Sequence, residues 1–197
     1  MLWADPPLSV PLRGTMADVN ARAQLIRAIE AERATKDDAF RRSPQSPIPA
    51  ERRGTFTGLA YFPVDPAYRI EGVALSPYEG DGPEAFLMPT STDEMRRAWR
   101  AGTFRFELSG QPLSLVAYDL GNGSLFVPFQ DATSGGETYG AGRYLDLEPE
   151  LDGTFTLDFN LAYFPYCAYS PDYSCPLTPA ENRLPVRVEA GERLPPA

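Results

Sequence analysis

From Gly54 to the C-terminus the chain reads as short runs of β-branched and aromatic residues punctuated by Gly and Pro, and this alternation restricts the folds open to it. Strand-forming runs lie at 55–62, 68–75, 85–89, 103–108, 112–120, 124–129, 143–147, 154–159 and 185–188. Val64-Asp65-Pro66-Ala67 reads as a turn, and Gly121-Asn122-Gly123 is a hairpin signal between two of the runs. Ser91 and Glu94 have the spacing of a capping box, which predicts a brief helix stopping before Gly102. About nine short strands predict a mainly β fold, a single antiparallel barrel or sandwich-like domain that hides its edges. No internal repeat or second hydrophobic core is visible, so 43–197 is expected to form one β-rich domain.

The segment before it has a different period. Over 16–42, Val19, Ala23, Ile26 and Ile29 recur at helical spacing with Leu25 beside them, while Arg22, Arg27, Glu32 and Arg33 fall largely on other faces. Asp18 or Asn20 is the expected cap. Ser43-Pro44 and Ser46-Pro47-Ile48-Pro49 end the helix, since proline cannot continue one. The helix is expected to pack on the sheet or to reach a second subunit, giving a homo-oligomer. Residues 1–15 read as a disordered leader, with neither the basic start nor the continuous apolar stretch of a signal peptide, and Met16 is an alternative start.

Charge and residue absences narrow the chemistry. A formal charge of -9 disfavours nucleic acid and anionic membrane surfaces, which require clustered Lys and Arg. With no apolar run long enough to span a bilayer, a cytoplasmic location is expected. The chain has no histidine, which removes Ser-His and Cys-His pairs and imidazole metal sites. Acid–base work then falls to carboxylates, Tyr, Cys or the single lysine, Lys36.

Two stretches concentrate polar chemistry. The first, 126–144, joins a strand to a glycine-rich loop and brings Asp131, Glu137, Tyr139 and Arg143 together in sequence. Such loops can wrap a ligand or offer it backbone N–H groups, and Arg143 can hold a carboxylate or phosphate bidentately. It lacks the lysine of a phosphate-binding P-loop. The alternative is a structural loop in which Asp131 and Thr133 cap turns and Arg143 pairs with Glu137 or Asp158. The second stretch, 157–182, holds Asp158, Cys167 and Cys175, and its tyrosines Tyr163, Tyr166 and Tyr169 with Asn160 and Asn182 can line a polar-aromatic pocket or glue a long loop to the sheet. Two thiols without histidine make a poor zinc site. A disulfide, a redox-sensitive pair and two buried reduced thiols stay open for Cys167 and Cys175, reduced thiols being the rule in a cytoplasm.

The strings DATSGGETYGAGRYLDLE and LDFNLAYFPYCAYSPDYSCPLTPAENRLPVRVEAGE, with KDDAFRRSPQSPIP and FTGLAYFPVDPAYRI before them, resemble the bacterial and archaeal domain of unknown function 1684 family, from about Lys36 to the end. The matching positions are Asp131, Thr133, Gly135, Glu137, Thr138, Tyr139, Gly142, Arg143, Asp158, Asn160, Tyr163, Pro165, Cys167, Cys175, Pro176, Asn182 and Glu192. Phe164 stands where the family pattern commonly has Asn, which weakens a ligand role there. The resemblance implies a shared fold unit and a site region, and no activity.

Three functional expectations follow. The first is a small-molecule binding domain in which Arg143 anchors a polar or anionic group and Tyr139, Asn160, Tyr163 and Asn182 complete the site. No cofactor is required. The second is a carboxylate-based hydrolase or lyase with Asp131, Glu137 and Asp158 as acid–base groups or Cys167 as a nucleophile, a divalent cation being possible on the same oxygens. A third, structural role would use the N-terminal helix as the contact element.

Overall fold

The computed structural model describes residues 15–121 and 123–195. Its first element is a 27-residue helix, α1 (Met16–Arg42). Thr15 caps it, accepting from the Asp18 amide while the Asp18 carboxylate takes the Thr15 N–H at 2.8 Å. Asp18 is therefore the third residue inside the helix, not the cap, and Thr15 belongs to the helix signal and not to the expected leader, the rest of which lies outside the described residues.

The helix packs by its second half. Ile29 and Phe40 are its buried residues, and Arg33, Lys36 and Asp37 between them reach the body at the same helical spacing. Val19, expected on the inward face, is 54% exposed. The inward face is thus partly polar, which the apolar period in the first half of the helix did not reveal.

Among the described residues eight strands follow: β1 (Arg69–Val73), β2 (Leu75–Ser76), β3 (Ala85–Pro89), β4 (Met95–Leu108), β5 (Gln111–Asp119), β6 (Leu125–Phe129), β7 (Arg143–Leu147) and β8 (Phe155–Asp158). The main sheet runs β2-β4-β5-β6-β7, with β3 pairing a second stretch of β4, and β1 pairs β8 in a separate two-stranded ribbon; all these pairings are antiparallel. The sheets are not closed into a barrel. Instead the free edge of β7 is covered by a single bridge from Tyr144 to Tyr163.

Three sequence expectations change. The helix predicted after Ser91 is absent, because Thr90–Glu94 form the tight turn of the β3–β4 hairpin and the following residues alternate along β4. The run at 55–62 makes only the bridge Tyr61↔Glu192. The run at 185–188 lies beside the loop after β6, where the Ala132 N–H donates to Val186 O at 2.9 Å, without forming a regular ladder. The β5–β6 hairpin forms as expected, with positive φ at Gly121 (80°) and Gly123 (91°).

Alternation along the strands gives the sheet two buried faces. Phe104, Phe106, Leu115, Ala117, Val127, Phe129, Leu145 and Leu147 enter one cluster together with Phe155, Leu157 and Phe159 from β8 and its continuation. Ala98, Val116, Tyr118, Phe126 and Tyr144 enter the other with Met88. Arg143 and Tyr144 are sequence neighbours and therefore point to opposite faces. That parity decides the roles of both.

Candidate functional site

On the first face, Arg143 is fully buried. Its Nη2 donates to Val188 O at 2.8 Å and to Asp131 Oδ1 at 3.2 Å, and its Nη1 donates to Glu192 O at 3.2 Å and to Ala190 O. Asp131 accepts in addition from the Val188 N–H at 2.7 Å and from the Thr133 hydroxyl. The fork thus gathers three carbonyls of the C-terminal segment against the sheet. Burial draws the Arg143 pKa down and Asp131 opposes it; a guanidinium stays charged in either case.

The other residues expected at a site are similarly committed. Asn182 is fully buried and bonds Val116 N, Val116 O and Pro128 O at 2.8, 2.8 and 2.7 Å, so one amide side chain holds the C-terminal segment to β5 and β6. Asn160 exchanges bonds with Asp65 N and O at 2.9 Å each and donates to Asp158 Oδ1. Asp158 also receives Arg69 Nη1 at 2.9 Å. Glu137 pairs with Arg187 at the surface. These carboxylates sit in three separate ion pairs, and among the described residues no group of three Cys, Asp or Glu converges on a metal position.

On the second face the picture differs. A cleft of about 560 Å³ opens between β6–β7 and the loop 163–176. It is lined by Lys36 from α1, Arg96 from β4, Phe126 from β6, Tyr144 and Asp146 from β7, and Tyr163, Tyr166, Tyr173 and Cys175 from the loop. The rings form two packed groups: Phe126–Tyr144 centroids are 4.7 Å apart and Tyr144–Tyr163 5.7 Å in one, and Tyr166–Tyr173 5.2 Å in the other, all near edge-to-face. Tyr144 donates its hydroxyl to Pro176 O and Tyr163 donates to Asp146 Oδ2, which fixes both rings. Burial, seconded at Tyr163 by the Asp146 charge, raises both phenols well above the ordinary tyrosine value, so they stay neutral hydrogen-bonding groups.

Lys36 Nζ lies 4.8 Å from the Tyr163 ring centroid and 2.5 Å from Glu192 Oε1. Glu192 is buried and also accepts from Phe164 N at 2.7 Å and Tyr169 OH at 2.5 Å, so the lysine is held by a carboxylate that is itself immobilised. Phe164 therefore contributes a backbone donor and packing against Tyr139 rather than a polar side chain. Arg96 lies at the exposed rim, where Nη2 donates to Ser174 O at 2.8 Å.

Of the residues that sequence reasoning selected, Tyr163 lines this cleft. Tyr139 lies behind the loop with its hydroxyl 3.9 Å from Cys167 Sγ, its pKa pushed up to about 12 by burial and then by that thiol. Tyr166, one of the three tyrosines of the second stretch, lines it too, whereas Arg96, Tyr144, Asp146 and Tyr173 were not selected. Strand alternation in Arg143-Tyr144-Leu145-Asp146-Leu147 was the available signal, because it sets Arg143 with the two leucines and Tyr144 with Asp146.

Residues 54–193 match the family described as "Protein of unknown function (DUF1684)". The chain belongs to the DUF1684 family. The matched span contains both buried networks and all of the cleft except Lys36. The solution NMR structure of an uncharacterized protein of Haloarcula marismortui is 40% identical, covering 89% of this chain and 97% of that one, with a TM-score of 0.66. No curated protein matches the sequence. No helix among the described residues is long and apolar enough to cross a membrane.

Proposed function

We propose that this DUF1684 protein binds a small polar, anionic organic molecule in the tyrosine-lined cleft. The observation that carries the reading is the composition of one concave surface: side chains from α1, β4, β6, β7 and the loop 163–176 converge on about 560 Å³, within the usual range for small-molecule sites. Packed rings supply apolar area, while a few fixed polar groups set orientation. The two cations are not equivalent. Lys36 is compensated by Glu192, whereas Arg96 gives one bond to a carbonyl and has no carboxylate partner among the described residues. Arg96 is therefore the group that meets the acid function of the ligand, and Lys36 with Tyr163 positions a polar group beside it.

In this reading Arg143, Asn160 and Asn182 hold the fold through bonds to backbone, and Tyr139 packs against the loop at Phe164. The hydrolase or lyase alternative gains no support from the carboxylates it would use, since Asp131, Glu137 and Asp158 each serve a separate arginine. The test is a thermal-shift screen against organic acids, phosphorylated metabolites and acidic sugars. A ligand at about a hundred times its dissociation constant adds roughly 2.7 kcal/mol. Arg96→Ala is expected to weaken a hit by about tenfold or more, the scale of one charge-assisted hydrogen bond. Unchanged affinity in both Arg96→Ala and Tyr166→Ala would refute the assignment of the cleft.

A further inference from the structure

The two cysteines lie on the loop that walls the cleft, and both are free thiols. The Cys167 N–H points at Cys175 Sγ across 3.3 Å. With an N–Cα bond near 1.46 Å, the Cys175 sulfur lies within about 4.8 Å of Cys167 Cα. A sulfur that near the partner's backbone fits two cysteines that can be bridged, which requires Cα atoms no more than about 7 Å apart. The backbone at both ends is held in place. Cys167 sits in the helical turn Tyr166–Ala168, closed by Ala168 N to Pro165 O at 2.9 Å. Cys175 exchanges two bonds with Ser91, its N–H donating to Ser91 Oγ at 3.1 Å and its carbonyl accepting from Ser91 N at 2.8 Å.

The two thiols differ in access. Cys167 is half-buried, while Cys175 is buried and its thiol is pushed up to about 11, mainly by that burial. Reactivity follows the exposed thiolate, so an oxidant meets Cys167 first and Cys175 acts only on what Cys167 has already become.

We propose that Cys167 and Cys175 form a reversible dithiol–disulfide site, with Cys167 as the entry thiol, Cys175 as the resolving thiol and a low-molecular-weight disulfide as the oxidant. The Cys167 thiolate attacks one sulfur of that disulfide, whose S–S bond breaks and releases one small thiolate. Cys175 then gives its proton to solvent and attacks Cys167 Sγ, expelling the second small thiol. Two protein S–H bonds become one S–S bond, and the oxidant is reduced to two thiols. Because Cys175 faces the cleft, the bond ties the 167–175 loop to the wall and couples the wall to redox state. The site stands whether or not the cleft takes an anion.

The test uses the full native chain in mixtures of oxidised and reduced glutathione of stepped ratio, quenched by alkylation and read by intact mass and peptide mapping. The expected product lacks two hydrogens, takes up no alkylating reagent, links Cys167 to Cys175 and returns to the dithiol with dithiothreitol. Cys175→Ser should stop as a glutathione adduct on Cys167, and Cys167→Ser should react about tenfold more slowly than that variant. Two alkylatable thiols at every ratio, or a link formed only once urea has unfolded the chain, would overturn the proposal.

Discussion

Replacing Arg143 with Met separates a structural arginine from a ligand anchor, because the two roles differ in a protein that holds no ligand. The substitution keeps much of the apolar stem and removes the fork that binds Asp131, Val188 O, Ala190 O and Glu192 O. Removing one partner of a buried ion pair costs about 3–5 kcal/mol, because the other charge is left behind. Asp131 keeps its bonds from Thr133 and Val188 N, which offsets part of that loss, whereas the three carbonyls lose a donor at about 1–3 kcal/mol each if water cannot reach them. A net destabilisation of at least about 4 kcal/mol is expected, which for a chain of this size lowers the midpoint of thermal unfolding by roughly 8 °C or more. Urea unfolding of wild type, Arg143→Met, Asp131→Asn and the double variant, followed by circular dichroism and fluorescence, gives both the loss and the coupling. Coupling of at least about 1 kcal/mol is expected between residues that share a hydrogen bond. A ligand-free Arg143→Met protein within about 1 kcal/mol of wild type would refute the reasoning.

Three further outcomes follow from the same structure. Asn182→Ala deletes three bonds to Val116 and Pro128 and should cost about 3 kcal/mol or more in urea unfolding, whereas a loss below about 1 kcal/mol would mean that the strands do not need it. Gly191 has φ +74°, and a Cβ there would sit 2.5 Å from Ala162 O, so Gly191→Ala should lower the unfolding midpoint by several degrees on the scale of roughly 2–4 °C per kcal/mol. An unchanged midpoint would show that the turn relaxes freely. On the alkaline side, burial raises the Cys175 thiol from 9.0 to about 11, so the unfolded chain releases this proton first. The stability it contributes is complete below pH 9 and is lost as pH rises towards 11. Thermal midpoints should fall over that interval, less steeply in Cys175→Ser, and equal slopes would exclude the thiol as a cause.

The β-rich architecture was legible because most strands carry their own evidence: alternation in the second half of β4, short runs of aromatic and aliphatic residues such as β6, and glycine turns that leave few other conformations. Where expectation and structure part, local signals were outweighed by pairing. Ser91 and Glu94 mimic a helix start, yet Arg97 is exposed while Ala98 buries on a sheet face, and the pairing of Met95–Trp99 with β3 decides the matter. The run at 55–62 is rich in strand formers, but its partner is the irregular segment around Glu192, so it makes a bridge and no ladder. The dense stretches stand out by composition, but density does not say whether polar groups face one another or a ligand. Arg143, Asn160 and Asn182 face backbone. The cleft was harder to read because its residues are scattered from Lys36 to Pro176, and only tertiary structure assembles them.

Backbone amide shift mapping during titration with an organic acid found by thermal shift locates the ligand site on the chain. Saturable shifts are expected at Arg96, Tyr144, Asp146, Tyr166 and Ser174, around the tyrosine-lined cleft. Saturable shifts confined to the glycine-rich loop at 134–140, with the cleft amides unmoved, would place the ligand elsewhere and refute the cleft assignment.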